Sequence, residues 1–423
     1  MMTKYCLFLC GIASLAWAGN WPEFRGPKGD GHAEAKGLPT TWSETKNIEW
    51  KTGLHGKAWS TPVVWGKDIW LTTATENGKE MSGMCIDRAS GKILFDRVIF
   101  TNEKVEGLGG AAKVNAYGSP SPAIEAGRVY LNWGSYGTTC MDTRTREEIW
   151  QRRDLPCQHF RGPGSSLVIY RHLLILTMDG VDVQYITALD KMTGKTVWKT
   201  DRTTDYHDLD SQGKPRAGGD FRKAYSTPLI FPVNGTDILF SSAAKAAYAY
   251  EPLTGKEIWQ INFTGFSGAS RPVADTERVY MNSGYGKPDL YGVRHGGSGN
   301  CTKSHIVWKQ TKGMPKRSSP LLIDGLLYVV SDEGVATCVE AATGEVVWQD
   351  RMRAKFSGSP IFAEGRIYCF AENGSSWILK PGRTFEVIAE NKLDTGCMAS
   401  PLAIDDMLII RTKSHLYGIK EKS

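Results

Sequence analysis

With 423 residues, 46 of them glycine and 14 tryptophan, the chain is long enough for several ordinary domains or for one large repeat array. Its formal net charge of +6 is spread without a basic run, which argues against a nucleic-acid partner, and no stretch is biased enough in composition to stay disordered. Long amphipathic helical patterns are absent, which leaves many short strands joined by tight turns.

The chain opens with Lys4, an apolar run from Tyr5 to Leu15 and the small-residue site Ala16-Trp17-Ala18. This order predicts an export signal over residues 1–18, cleaved near Ala18, and hence a periplasmic or secreted protein. The apolar run is too short for a membrane anchor, so no transmembrane segment is expected in the mature chain. Leu9 is too bulky to precede a lipidated Cys10. Residues 19–46 read as an N-terminal extension to a long repeat region.

From residue 47 onward a hairpin signature recurs. A proline, once a serine, starts a strand, and eight residues later comes the middle of the next, as in Pro62/Trp70, Pro122/Tyr130, Ser166/Leu174, Pro272/Tyr280, Pro320/Tyr328, Pro360/Tyr368 and Pro401/Ile409. Pro228 to Phe240 is the same hairpin lengthened around Asn234-Gly235. After these hairpins comes a second unit, Ala188-Leu189-Asp190, Thr193-Gly194-Lys195, Trp198. It returns at Ala249 to Trp259 and Cys338 to Trp348, and more weakly at Cys85 to Phe95 and Cys140 to Trp150. Eight units of roughly 46 residues predict an all-β, eight-bladed propeller of four-stranded antiparallel blades over residues 47–423. The last unit lacks an outer strand, and Asn47-Ile48-Glu49-Trp50 resembles one, so the N-terminal strand is expected to close the ring. Each repeated tryptophan should dock on the glycine-containing turn of a neighbouring blade.

Seven cysteines lie beyond the export signal. Cys85, Cys140 and Cys338 fill a repeat position that alanine holds elsewhere, while a disulfide among Cys157, Cys301, Cys369 and Cys397 is open. No two are adjacent and no C-x-x-C pair occurs, which excludes zinc-ribbon and thioredoxin-like chemistry.

The unit Ala188 to Trp198 resembles the tryptophan-docking motif of the pyrroloquinoline-quinone-like propeller superfamily. That superfamily holds quinoprotein alcohol dehydrogenases and the propeller lipoprotein of the outer-membrane β-barrel assembly machinery. The opening Trp21-Pro22-Glu23-Phe24-Arg25-Gly26-Pro27, with Gly29 and Gly31, resembles a secreted bacterial branch of it. In the dehydrogenases the resemblance implies a quinone stacked on a vicinal disulfide, with calcium beside a catalytic Asp. This sequence has no adjacent cysteines. No cofactor is therefore expected, pyrroloquinoline quinone with calcium being the alternative.

Loop lengths place the function. Turns within the first hairpins are short, and so are those before the outer strands, except Gly292 to Ser304. Long insertions fall between blades, at Asp96 to Ala116 and Thr200 to Ala224, and after second strands, positions that share one face of a four-stranded meander. Binding residues sit on long loops held by a rigid scaffold, so this elaborated face is the candidate site. It carries His159, Arg161, Asp179, Asp182, His207, Asp208, Arg222, Tyr225, Lys245, Tyr285, Lys287, Arg317 and Asp332, with Lys223, Lys413 and His415 nearby. Asp205, His207, Asp208 and Asp210 mix ligand types that suit a cation, or are a solvated loop. Arg25 and Arg161, in two copies of Phe-Arg-Gly-Pro, either bind a ligand or form inter-blade ion pairs, and His159 also reads as a structural histidine. No phosphate loop or H-E-x-x-H motif occurs, and Gly265-Phe266-Ser267-Gly268 lacks the second glycine of a nucleophile elbow. The expectation is a monomeric, non-catalytic envelope scaffold binding a protein, a glycan or a small anionic ligand. The alternatives are a quinone-dependent alcohol dehydrogenase and an enzyme acting on polysaccharide through Asp179 and Asp332.

Overall fold

A computed structural model describes residues 19–422; the export signal read from residues 1–18 lies outside them. Eight antiparallel sheets of four strands stand around a central axis, two of them extended by a short fifth strand. Their innermost strands are Val63–Trp65, Ala123–Glu125, Val168–Tyr170, Leu229–Val233, Val273–Ala274, Leu321–Ile323, Ile361–Ala363 and Leu402–Ile404, which begin blades 1 to 8 in that order. Among the described residues no helix is long and apolar enough to cross a membrane.

The second and third strands of each blade are packed on both faces by neighbouring blades, so most of their residues are buried without the alternation of a half-exposed strand. All seven residues of Leu173–Asp179 are buried, for example. Outer strands bury few residues, as in Glu148–Arg152, where Trp150 alone is buried. The hairpin signature gives the register: Val63 pairs with Trp70, Ala123 with Tyr130, Leu321 with Tyr328 and Ile361 with Tyr368. In blade 8, Ile48–Gly53 pairs antiparallel with His415–Lys420, Lys51 opposite Tyr417, so the start of the chain closes the ring.

The tryptophans dock as the repeat requires. Trp50 Nε1 donates to Arg88 O at 2.9 Å, Trp150 to Lys191 O at 3.0 Å and Trp308 to Ala341 O at 2.9 Å, each in the next blade. A Cβ on Gly194 would lie 2.7 Å from the Trp150 ring, and its φ of +71° suits only a residue without one. The seven described cysteines are free thiols, all buried, and none of the pairings left open by the sequence forms. The Gly292–Ser304 insertion lays Gly299–Asn300 parallel to the outer strand of blade 4 and covers that edge.

The N-terminal extension is not peripheral. Trp21 and Val64 exchange two 2.8 Å main-chain bonds, and Pro22 O accepts Ile124 N–H at 2.8 Å. Phe24 O accepts from Arg271. Arg25 donates to Pro320 O at 2.7 Å and Pro360 O at 3.1 Å. His32 bonds Leu322 O at 2.9 Å, His32–Ala33 runs parallel beside Ile361–Ala363, and Lys36 N–H reaches Asp405 O at 2.7 Å. Residues 21–36 thus bond to groups in blades 1, 2, 5, 6, 7 and 8 and plug the channel from the face with the short turns. Arg25 is 1% exposed and pairs with no carboxylate among the described residues, so the inter-blade ion pair expected there is instead a bridge between backbone carbonyls. Burial pushes its guanidinium down to about 9. Gly31 allows this, because a Cβ there would stand 2.5 Å from Arg25 Nη2.

Candidate functional site

Each blade begins its inner strand just after a hydroxyl residue, and the fold links these residues into a hoop. Thr61 N–H donates to Ser121 Oγ, Ser121 to Ser166, Ser166 to Thr227, Ser319 to Ser359 and Ser359 to Ser400, each at 2.9 Å. Thr61 Oγ1 closes the circle on Ser400 O at 3.2 Å. Blade 5 is the exception: Arg271 occupies the hydroxyl position, gives its N–H to Ser319 Oγ, and turns its guanidinium onto Glu23 at 2.8 Å. Above the plug this hoop encircles a well of about 120 Å³, with Phe24, Trp59 and Met398 among its lining residues.

The well opens sideways into a cavity of about 360 Å³ on the elaborated face. Val114, Asn115, Ala269 and Arg317 line both spaces, which therefore form one vestibule. Tyr225, Phe266 and Tyr285 supply aromatic walls, and Arg161, Asp220 and Arg317 the charges. Arg161 pairs with Asp220 at 3.1 Å and stacks 4.9 Å from the Phe160 ring. Arg317 Nε donates to Asp332 at 2.8 Å, while its Nη2 lies 3.3 Å from Glu372. Burial alone would lower the Arg317 guanidinium, but these two carboxylates more than offset it and raise it. Burial likewise pushes the Tyr225 phenol up, so it stays a neutral donor.

Of the residues singled out by sequence, Arg161, Tyr225, Tyr285 and Arg317 come together in the cavity, with Asp332 just behind Arg317. The others have different surroundings. Asp179 is buried and takes a two-pronged bond from Arg202, 3.0 Å on each oxygen. Asp208 is held the same way by Arg222, whose hydrogen bonds keep its carboxyl below the ordinary range. His159 is buried, with Nε2 accepting Ser135 N–H at 2.9 Å and Nδ1 3.2 Å from Lys223 Nζ. Burial first, and Lys223 second, hold its imidazole well below 6.5. Asp182 caps Gln158 N–H at 2.8 Å, Lys245 donates to Tyr206 O at 2.6 Å and Lys287 lies exposed. His207 is exposed beside Asp205, and Asp205 and Asp210 cap their own turns. Sequence reasoning missed Asp220, Glu372, Asn115 and the hydroxyl hoop. The hoop had a signal, a Ser or Thr just before the strand-starting Pro in six units, whereas the carboxylates had none.

The donor set does not fit a quinone–calcium pair. The channel holds no two adjacent cysteines to stack against, and the carboxylates at its mouth are each engaged by an arginine. Among the described residues no three His, Cys, Asp or Glu side chains converge with metal-binding geometry, those of 205–210 included.

The family model for the outer membrane protein assembly factor BamB matches residues 182–294 and 302–382. A relative of that name from Vibrio cholerae is 22% identical over 302 residues, covering 60% of this chain and 72% of its own. One from Yersinia pestis is 23% identical over 207 residues, 45% of this chain and 48% of its own. Among solved structures, BamB from Moraxella catarrhalis superposes with a TM-score of 0.60 at 14% identity, over 88% of this chain and 99% of that one. A europium-containing methanol dehydrogenase gives 0.68 at 12% identity, over 95% and 90%. The quinohemoprotein alcohol dehydrogenase of Comamonas testosteroni gives 0.69 at 12% identity, over 96% and 81%. At such identities the structures speak to the fold alone. Repeat, architecture and family match agree: the chain is an eight-bladed β-propeller that resembles the pyrroloquinoline-quinone-like propellers and, among them, the outer membrane protein assembly factor BamB.

Proposed function

We propose that this protein is a non-catalytic propeller of the bacterial envelope, working without a cofactor, that binds a protein partner through its elaborated face. The observation that carries the reading is the family match over residues 182–294 and 302–382, which includes the blades that supply Tyr225, Phe266, Tyr285 and Arg317 to that face. Two features support it. The opposite end of the channel is filled by residues 21–36, so the central vestibule opens toward the elaborated face. On the open face the charged groups are spent on one another, a pattern that positions loops rather than activating a nucleophile or base. The likeness to bacterial assembly factors also supports a periplasmic place of work for the exported chain.

The test is site-specific photocrosslinking in living cells. A crosslinker at Phe160 or Leu209, both exposed on the elaborated loops, should trap one recurrent partner, and one at Lys28, exposed on the plug itself, should trap none. Equal trapping from both faces, or reduction of a redox dye by the protein with pyrroloquinoline quinone and calcium, overturns the reading.

A further inference from the structure

We propose that the vestibule is a binding site for the terminal residue of a neutral saccharide chain, separate from the docking of any protein on the surrounding loops. Four observations converge on that ligand class.

The first is the state of the hoop. Ser121, Ser166, Thr227, Ser359 and Ser400 line the well, and each accepts a main-chain N–H from the neighbouring blade. A hydroxyl has one proton to give besides its acceptor lone pairs. Among the described residues none of these five hydroxyls gives its proton to a protein acceptor, so five donors remain for whatever fills the well. The second is charge. Arg161 is matched by Asp220, and Arg317 by both Asp332 and Glu372, so an anionic ligand finds no unspent cation and would have to break an existing pair. A neutral, oxygen-rich ligand has no such conflict, since the Asp220 carboxylate and the remaining guanidinium N–H groups lining the cavity suit vicinal hydroxyls.

The third is the aromatic wall. Tyr225, Phe266 and Tyr285 meet Val114 and Ala269 around a cavity of about 360 Å³, within the size range that takes a small ligand. A pyranose ring has an apolar C–H face and a polar rim, which matches an aromatic wall beside a hydroxyl hoop. The fourth is the floor. Phe24, at the tip of the plug, lies under the well, so a polymer enters by its end and cannot thread the channel. The carboxylate end of a peptide would meet only an arginine already held by two carboxylates, a cost that the uncharged end of a neutral glycan avoids.

Calorimetric titration of the full mature chain with maltotetraose, cellotetraose and N-acetylchitotetraose tests this. At least one should bind with a millimolar or tighter Kd, and saturation-transfer NMR should place the strongest contact on a terminal sugar. Tyr285→Ala and, separately, Tyr225→Ala should each weaken binding about tenfold or more, a change of about 1.4 kcal/mol, with the melting temperature of Tyr285→Ala unchanged. Three outcomes overturn the proposal: no binding by any of the three sugars, binding that survives both substitutions, or displacement of the sugar by tetra-alanine, which would reassign the well to peptide ends. Partner crosslinking from the outer loops is read separately, so failure here and failure of the protein-docking reading are distinguishable.

Discussion

Phe24-Arg25-Gly26-Pro27 and Phe160-Arg161-Gly162-Pro163 share four residues and a left-handed glycine, Gly26 at φ 85° and Gly162 at φ 83°. In the plug, Arg25 is 1% exposed and its guanidinium bridges carbonyls of blades 6 and 7. On the elaborated face, the Arg161 side chain is 36% exposed and leans on a single carboxylate, Asp220. One copy holds strands together where water is excluded; the other borders a space that water enters. The difference shows that a recurring tetrapeptide fixes a local bend, while the surrounding dielectric and the available acceptors decide what its arginine does.

Substitution should separate the two regions sharply. Arg25→Ala leaves the carbonyls of Asp30, Pro320 and Pro360 buried without a donor and empties the centre of the plug. A loss of about 4 kcal/mol in urea denaturation is expected. Equal losses from Arg25→Ala and Arg161→Ala would erase the contrast.

Proton linkage probes the floor beneath the open face. Because the folded pKa of His159 is depressed, the unfolded chain takes up a proton below 6.5 that the folded one refuses. Its contribution is therefore complete above that pH and lost below it, and a drop from about pH 7 to about pH 5 should cost on the order of 2 kcal/mol. His159→Gln should flatten that slope; an unchanged slope would move the titration elsewhere.

The hoop lies between the two regions and should respond with an intermediate effect. Ser359→Ala removes the acceptor for Ser319 N–H and should cost about 1.5 kcal/mol. The smallest effect belongs to Arg161→Ala, below about 1 kcal/mol, as for other solvent-bordered pairs.

What the sequence made legible was whatever repeats. Pro62/Trp70 and its counterparts specify hairpin register because period-two alternation allows no one-residue slip, and Thr-Gly turns mark where tryptophans dock. Ring closure was legible because residues 47–50 are a repeat fragment out of place. The plug was not. Apart from Phe24-Arg25-Gly26-Pro27, residues 21–36 have no second copy, carry no strand periodicity, and bond to groups as distant in sequence as Pro360 and Asp405. The pairing on the elaborated face was equally hidden. Asp208 with Arg222 and Arg161 with Asp220 depend on how a long insertion folds back, and nothing in their spacing singles out one partner over another.

The plug also imposes a timetable. Residues 21–36 are made before any blade, yet the acceptors and donors they need lie as late as Pro320, Pro360 and Asp405. This early segment must wait for the last blades, a long-range closure of the slow kind. Until then Trp21, 1% exposed in the finished ring, has nowhere dry to go. An interrupted or misassembled chain thus displays an unburied indole at its leading end, a built-in mark of incompleteness that only a whole propeller can hide.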